Sequence, residues 1–266
     1  MSKPTVLASD MDGTFIPLEG NEDNLRDLSL LASELQRLDT ELVYVTGRHF
    51  ELALDAIDQH GLPLPSHLIC DVGTSVYEHG GDGQFAPSRE YVDHLEAKVV
   101  QLSIAALRER LVSVAAINLQ DAEKQGKFKL SYECDTESLN DVTEGIEQIL
   151  TASDAPWQVV ASVDPFTGIG LIDLLPRGVT KAYAMRWWVQ QQGRDDEHVM
   201  FAGDSGNDLA ALTAGFRSIV VRNASSPVRD QVAAAHREAG WEDRLFLATK
   251  PATSGVLEGL RHFAQP

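Results

Sequence analysis

The sequence predicts an α/β protein, a Rossmann-like core built on a parallel sheet and interrupted by a smaller α+β insert. Three observations carry this. Short apolar runs alternate with helix-length amphipathic segments from Thr5 to Tyr77. The rhythm breaks at "EHGGDGQFAPS", residues 78–88, whose glycines and proline mark a turn or linker. From Asp173 the rhythm returns. On this division residues 1–81 and 173–266 form the core, and residues 82–172 the insert.

Each element follows from its own pattern. "TVLA" is an apolar first strand ending just before Asp10. Residues 22–38 read as a helix, with Leu25, Leu28, Leu31, Leu35 and Leu38 at intervals of three and four. "ELVYV" is a buried strand running into Thr46, Gly47 and Arg48. A helix over residues 49–60 stops at Gly61, as a glycine C-cap would stop it. "HLICDVG" is a third strand, and strands alternating with helices in this way form βαβ units. The insert reads as a helix (91–110), strands (112–117 and 127–133), a helix (138–151) and strands (157–163 and 168–174). Its hairpin turns are "EKQGK" and "DPFTG". Back in the core come a helix in "GVTKAYAMRWWVQQQG", a strand in "HVMFAGD", a helix in "NDLAALTAG", a strand in "RSIVVRN" and a closing helix in "ATSGVLEGLRHF".

Composition narrows the function. Of 266 residues 43% are hydrophobic and 23% charged, the balance of a soluble globular chain. No run of about 18 apolar residues exists to cross a membrane. The start, "MSKPTVLASD", reaches an aspartate before a signal-peptide core could form, so a cytoplasmic location is expected. Cys70 and Cys134 lack metal-ligand spacing. A net charge of -18 argues against nucleic acid, whose phosphates the surface would repel. An anionic substrate would therefore need local cations.

"DMDGT" places Asp10 and Asp12 two residues apart after a strand, so both carboxylates leave it on one side. Thr46 and Asp204 also follow predicted strands, and Lys181 lies in the helix after "LLPRG". Ligands of open α/β sheets bind outside the carboxyl ends of the strands, where these residues converge. Asp10, Asp12 and Asp204 together need a counter-ion, and an oxygen-only ligand set favours Mg2+. With Thr46 and Lys181 beside it, such a site suits a phosphoryl group. Asp10 then serves as nucleophile, giving an aspartyl phosphate. Asp12 protonates the departing alkoxide and later accepts a proton from water.

These motifs, "DMDGT", "VTGR", "TKAYA" and "GDSGND", resemble the haloacid dehalogenase superfamily in kind and order. The resemblance implies that superfamily's fold, Mg2+, and the roles of Asp10 and Asp12 just given. Gly13, Thr14, Gly47, Arg48, Asn207 and Asp208 complete its motifs as phosphate-binding or supporting positions. An α+β insert between the Thr46 and Lys181 motifs matches a C2-type cap, which selects the leaving group in that superfamily. "DVGTSVY", "FKLSYECD", "IVVRNA" and "GVLEGLRHF" are similar to the sucrose-phosphate phosphatases. That similarity implies sucrose 6-phosphate as substrate, and functional coupling to a sugar-phosphate synthase. Gly13 departs from it, because those enzymes often carry Asn or His there. Mannosylfructose phosphate, glucosylglycerate phosphate and simple hexose phosphates therefore stand as alternatives, with a non-catalytic sugar-phosphate binder as a reading from another class.

Outside the motifs, Lys129, Ser131 and Tyr132 alternate with apolar residues as on a half-exposed strand, and the "FKLSYECD" similarity makes them sugar-contact candidates. Arg48 either assists the phosphate or faces solvent. Trp157, Trp187 and Trp188 are expected to pack. Asn223-Ala224-Ser225 matches a glycosylation sequon that has no meaning without secretion.

Overall fold

The computed structural model describes residues 4–163 and 167–265. In chain order the core opens with β1 (Val6–Ser9), α1 (Glu22–Leu38), β2 (Glu41–Val45), α2 (Phe50–His60), β3 (His67–Cys70), β4 (Ser75–His79) and β5 (Phe85–Pro87). The insert contributes α3 (Arg89–Lys98), α4 (Ile104–Leu111), β6 (Asn118–Leu119), β7 (Leu130–Cys134), α5 (Leu139–Ala152), β8 (Trp157–Val163) and β9 (Gly170–Pro176). The core resumes with α6 (Lys181–Gln191), β10 (Val199–Gly203), α7 (Leu209–Leu212), β11 (Arg217–Val220), α8 (Ser226–Ala239), β12 (Leu245–Leu247) and α9 (Ala252–Phe263).

The core strands form one eight-stranded sheet in the order β12-β11-β10-β1-β2-β3-β4-β5. Pairings from β12 through to β3 are parallel, and β4 returns antiparallel along β3. The period of two divides the strand residues between two helical layers. Leu7, Leu42, Tyr44, Leu68, Met200 and Ile219 share one hydrophobic cluster with α1, α2 and α9. Their neighbours Val6, Ala8, Val43, Ile69 and Phe201 are equally buried but lie outside that cluster. Helix α6 packs on β3, α7 on β10 and β11, and α8 on β12.

Local chemistry explains the helix ends. The Asn21 side chain accepts the Asn24 N–H at the start of α1, and Asp39 closes that helix in the left-handed region at φ 52°. Gly61, at φ 61°, ends α2 as its sequence position suggests. The expected leucine stripe is imperfect. Leu28, Leu31, Leu35 and Leu38 are buried, but Leu25 is 57% exposed.

The chain divides into two compact units, Met1–Ala86 with Thr180–Pro266, and Pro87–Val179. The far border lies past residue 172 because β9 runs on to Pro176, paired throughout with β8. The insert is a four-stranded antiparallel sheet in the order β6-β7-β9-β8, with α5 packed on β8 and β9.

Several expectations are corrected. The single helix over 91–110 is two helices, because the Ser103 side chain caps α4 by accepting the Ala106 N–H. The strand expected at 112–117 is a turn in which Ala116 has φ 65°, and pairing with β7 is left to the two-residue β6. β4, β5, α8 and β12 are additional elements: residues 78–88 carry strand as well as turn, and α8 hides Val228, Val232 and His236 on an otherwise polar helix. Both cysteines are buried and free. The "DPFTG" turn includes residues 164–166, which lie outside the described residues. Among the described residues no helix is long and apolar enough to cross a membrane.

At the amino end of β2, Glu41 ties three segments together. Its carboxylate accepts from Ser66 Oγ, lies 3.6 Å from His67 Nδ1 and pairs with Arg194. Burial opposes its ionisation, yet the His67 and Ser66 hydrogen bonds and the Arg194 charge prevail and bring its pKa down to about 2. A depressed folded-state pKa stabilises the fold above the ordinary carboxylate value and loses that contribution as pH falls towards 2. Glu41→Gln should therefore cost on the order of 1–2 kcal/mol at pH 7, screening included, and nothing extra near pH 2. Denaturant titrations of both chains across that range check this.

Candidate active site

Asp10 is the first residue after β1, and burial leaves it 4% exposed. Its backbone N–H donates to Ala202 O on β10 at 2.9 Å, so the nucleophile candidate is anchored by the sheet ladder itself. The chain then turns through Met11–Phe15, with Asp12 extended (φ −73°, ψ 125°) and Gly13 left-handed at φ 72°. Thr14, fully buried, donates from Oγ1 to Asp204 Oδ1 at 3.0 Å. Asp204 follows β10 as Asp10 follows β1, and parallel pairing of these strands brings their carboxyl ends together.

Lys181 is the first residue of α6, whose amino end is capped by the Thr180 side chain accepting from Tyr183 N–H. Its Nζ is completely buried and donates to Asp10 Oδ1 at 2.6 Å and to Asp208 Oδ1 at 2.7 Å. Burial works against the ammonium, but Asp10 and Asp208 outweigh it and raise the Lys181 pKa. The other Asp208 oxygen accepts the backbone N–H groups of Asp204 and Ser205, both at 3.1 Å, and Ser205 Oγ at 3.0 Å. Gly203 permits this wrap, since a Cβ there would lie 2.7 Å from Asp208 Cβ.

Asp10, Asp204 and Asp208 each offer an oxygen within 4.8 Å of the others. Three carboxylates face one ammonium, leaving an excess of two negative charges. Burial, with Asp208 and Asp204 nearby, holds the Asp10 pKa well above the ordinary range despite Lys181. Burial and Asp208 also raise Asp204 to about 6. An all-oxygen donor set with that charge deficit fits a divalent cation such as Mg2+.

The sequence expects Asp12 as the third metal-binding carboxylate. In the structure the Asp12 carboxylate lies outside the group formed by Asp10, Asp204 and Asp208, and is held by Arg48. The Arg48 guanidinium donates from Nε at 2.8 Å and from Nη2 at 2.6 Å to the two Asp12 oxygens, and Asp12 stays 56% exposed. Arg48 therefore neither faces solvent alone nor stands apart from the acid/base candidate.

Thr46 is fully buried after β2, with Oγ1 accepting the Arg48 N–H at 3.1 Å. The loop after β3 braces it, a role the sequence did not suggest. Val72 N–H donates to Thr46 O and Asp71 N–H to Arg48 O. Asp71 and Val72 have φ of 52° and 59°, unusual for side-chain-bearing residues and most of all for a β-branched one. Gly73 lies so close to α6 that a Cβ there would overlap the Thr180 carbonyl and sit 3.0 Å from Lys181 N. Gly47 lies beside Asn207, whose Oδ1 accepts from Ser205 Oγ at 2.9 Å.

The sugar-contact candidates sit in the insert. Lys129, Ser131 and Tyr132 are all buried, so β7 is not the half-exposed strand its alternation suggests. Ser131 Oγ is engaged with Asp173 Oδ1 at 2.5 Å, and its backbone is clamped by the Gln125 side chain. Trp157 and Trp188 are packed as expected, and Trp157 Nε1 donates to Leu102 O.

With this geometry in view, comparison with known proteins is specific. A family model described as sucrose-6F-phosphate phosphohydrolase matches residues 3–264. A protein described only as a HAD-like hydrolase, from Nitrosococcus oceani, is 35% identical over 274 aligned positions, covering 99% of this chain and 72% of that one. The mannosylfructose-phosphate phosphatase of Agrobacterium fabrum is 27% identical, covering 97% of this chain and 96% of its own. The sucrose-phosphatase of Synechocystis, solved with sucrose and phosphate, has the same fold, with a TM-score of 0.76 at 24% identity and 98% of each chain covered.

The charge balance around Lys181 has a measurable consequence. Lys181→Met strands buried carboxylates and should cost about 3–5 kcal/mol at pH 8 in metal-free buffer. A carboxyl whose folded pKa is raised opposes folding when ionised, and that penalty fades as pH falls through the folded value. The variant's deficit should thus shrink towards pH 5, and adding Asp10→Asn should recover part of it at pH 8. Denaturant unfolding of the single and double variants at both pH values tests this.

Proposed function

The chain belongs to the sucrose-6F-phosphate phosphohydrolase family of haloacid dehalogenase-type sugar-phosphate phosphatases, and from that premise we propose that it hydrolyses a glycosyl-sugar monophosphate, first of all sucrose 6-phosphate, through a phosphorylated Asp10. The observation that carries the reading is the meeting of Asp10, Asp204 and Asp208 around Lys181 at the carboxyl ends of β1 and β10, with Asp12 two residues beyond the nucleophile.

Lys181 occupies Asp10 Oδ1. The second oxygen, Oδ2, attacks phosphorus as the bond from phosphorus to the sugar oxygen breaks. Asp12, released from Arg48, gives a proton to the departing sugar oxygen. In the second half, water attacks the phosphorus of the aspartyl phosphate, Asp12 takes the water proton, and inorganic phosphate leaves with Asp10 regenerated. Lys181 and the Thr46 hydroxyl stabilise charge and orient the phosphoryl group. Mg2+, held by Asp10, Asp204 and Asp208, would supply Lewis-acid stabilisation of the phosphoryl oxygens.

Support for a sugar phosphate comes from the family; the net charge of -18 opposes an anion, so its admission falls to the local cations Lys181 and Arg48. We assign the choice of sugar to the insert, residues 87–179, with Lys129 as the foremost contact residue. A non-catalytic binder is disfavoured because every group the reaction needs is present.

Phosphate release measured with sucrose 6-phosphate, mannosylfructose phosphate, glucosylglycerate phosphate and simple hexose phosphates tests the assignment. The highest kcat/KM is expected with a glycosyl-sugar phosphate, and a preference for simple hexose phosphates would discard that substrate class. Asp10→Asn should lower turnover at least about a thousandfold, and chelation of divalent cations should abolish it. Near-normal turnover by the Asn variant would remove Asp10 as nucleophile.

A further inference from the structure

Asn223, just beyond β11, uses its whole amide on three distant segments. Nδ2 donates to Gly13 O at 2.7 Å and to Asp204 Oδ2 at 3.4 Å. Its Oδ1 accepts the Ala252 N–H at 2.8 Å. Two donations and one acceptance use both N–H groups of the amide.

Each partner matters to the carboxylate cluster. Gly13 has φ 72°, and a Cβ there would come within 2.6 Å of Asp204 Oδ2, so its turn and that carboxylate are in direct register. Thr14 holds Oδ1 of Asp204 while Asn223 holds Oδ2, which fixes the carboxylate against rotation. On the other side, Ala252 starts α9 with φ 43° and an N–H that has no partner within the helix. That buried helix start is itself pinned, because Thr253 Oγ1 donates to Phe15 O and Asn24 Nδ2 to Pro251 O. Asn223 thus stands on a fixed base and faces the cluster. A neutral donor suits the place: it organises a carboxylate without adding to an uncompensated negative charge, and without the positive charge that would compete with a cation.

We propose that Asn223 is a positioning residue, which fixes the Asp204 carboxylate and the Gly13–Thr14 turn in the arrangement that binds a divalent cation, a role that rests on the proposed cation site at Asp10, Asp204 and Asp208. It does not touch the phosphoryl group.

Mn2+ binding by isothermal titration calorimetry, with metal-free thermal unfolding alongside, tests this in the parent chain, Asn223→Ala and Asn223→Asp. The Asp variant keeps the shape and the acceptor for Ala252 N–H, so support of α9 survives, while both donations are lost. A second carboxylate would by charge alone tighten a cation; the positioning role predicts the reverse. Both variants should bind Mn2+ at least about tenfold more weakly than the parent. The Asp variant should unfold within about 2 °C of it. Binding by the Asp variant as tight as the parent's, or tighter, overturns the proposal, as does weak binding that merely follows a lowered melting temperature. Absence of Mn2+ binding by the parent removes the cation site itself and the proposal with it, a failure distinct from an unaffected Asn223 variant.

Discussion

The buried pairing of Lys181 with Asp10 and Asp208 constrains everything around it. An ammonium with no solvent access is tolerable only with carboxylates at hydrogen-bond distance, and those carboxylates are tolerable only with the ammonium. Neither partner can be placed by a flexible segment. Asp10 is locked to the β1–β10 pairing through its backbone N–H, Asp208 is locked by two backbone donors and Ser205, and Lys181 starts a helix that Gly73 allows to press against the loop after β3. The fold holds a charge constellation that would otherwise disperse.

Sheet order supplies the rest. β1 lies between β10 and β2, the parallel strands that deliver Asp204 and Thr46. Chain direction reverses its progress along the sheet at β1, with β2 and β3 to one side and β10, β11 and β12 to the other. This is the switch point at which open α/β sheets bind ligands. The strained pair Asp71 and Val72 belongs to the same design, since the turn they form presents backbone donors to Thr46 and Arg48.

Much of this was legible in the sequence, for definite reasons. Strand-to-helix rhythm, leucine spacing and glycine stops are local signals, so α1, α2, β8 and α9 lie close to where periodicity puts them. Aspartates directly after apolar strands mark the site because the strand fixes their direction. Signals fail where the deciding partner is distant in sequence. Nothing local tells that Arg48 claims Asp12, or that Asp208 turns inward to Lys181. Asn223 reads as an empty sequon, and its meaning depends on Gly13, Asp204 and Ala252, each far away along the chain. α8 leaves a faint signal because its buried stripe is thin, and β12 leaves none because three residues make no pattern.

Gly13, where the sequence reading expects a departure from the sucrose-phosphate phosphatases, acquires a physical meaning in this setting. Its left-handed φ suits glycine, and a side chain there would push on Asp204 Oδ2 before it met anything else. Residue 13 therefore acts on the geometry of the Asp204 carboxylate. A larger residue at this position of the chain would require that carboxylate to shift, with a compensating change in the turn or in the donors that hold it. The identity of residue 13 therefore bears on how the charge cluster is assembled rather than on which sugar is bound. Discrimination between sugars has to come from groups that can reach the leaving hydroxyl and its ring, where a missing hydrogen-bond partner costs far more than a small misfit in volume.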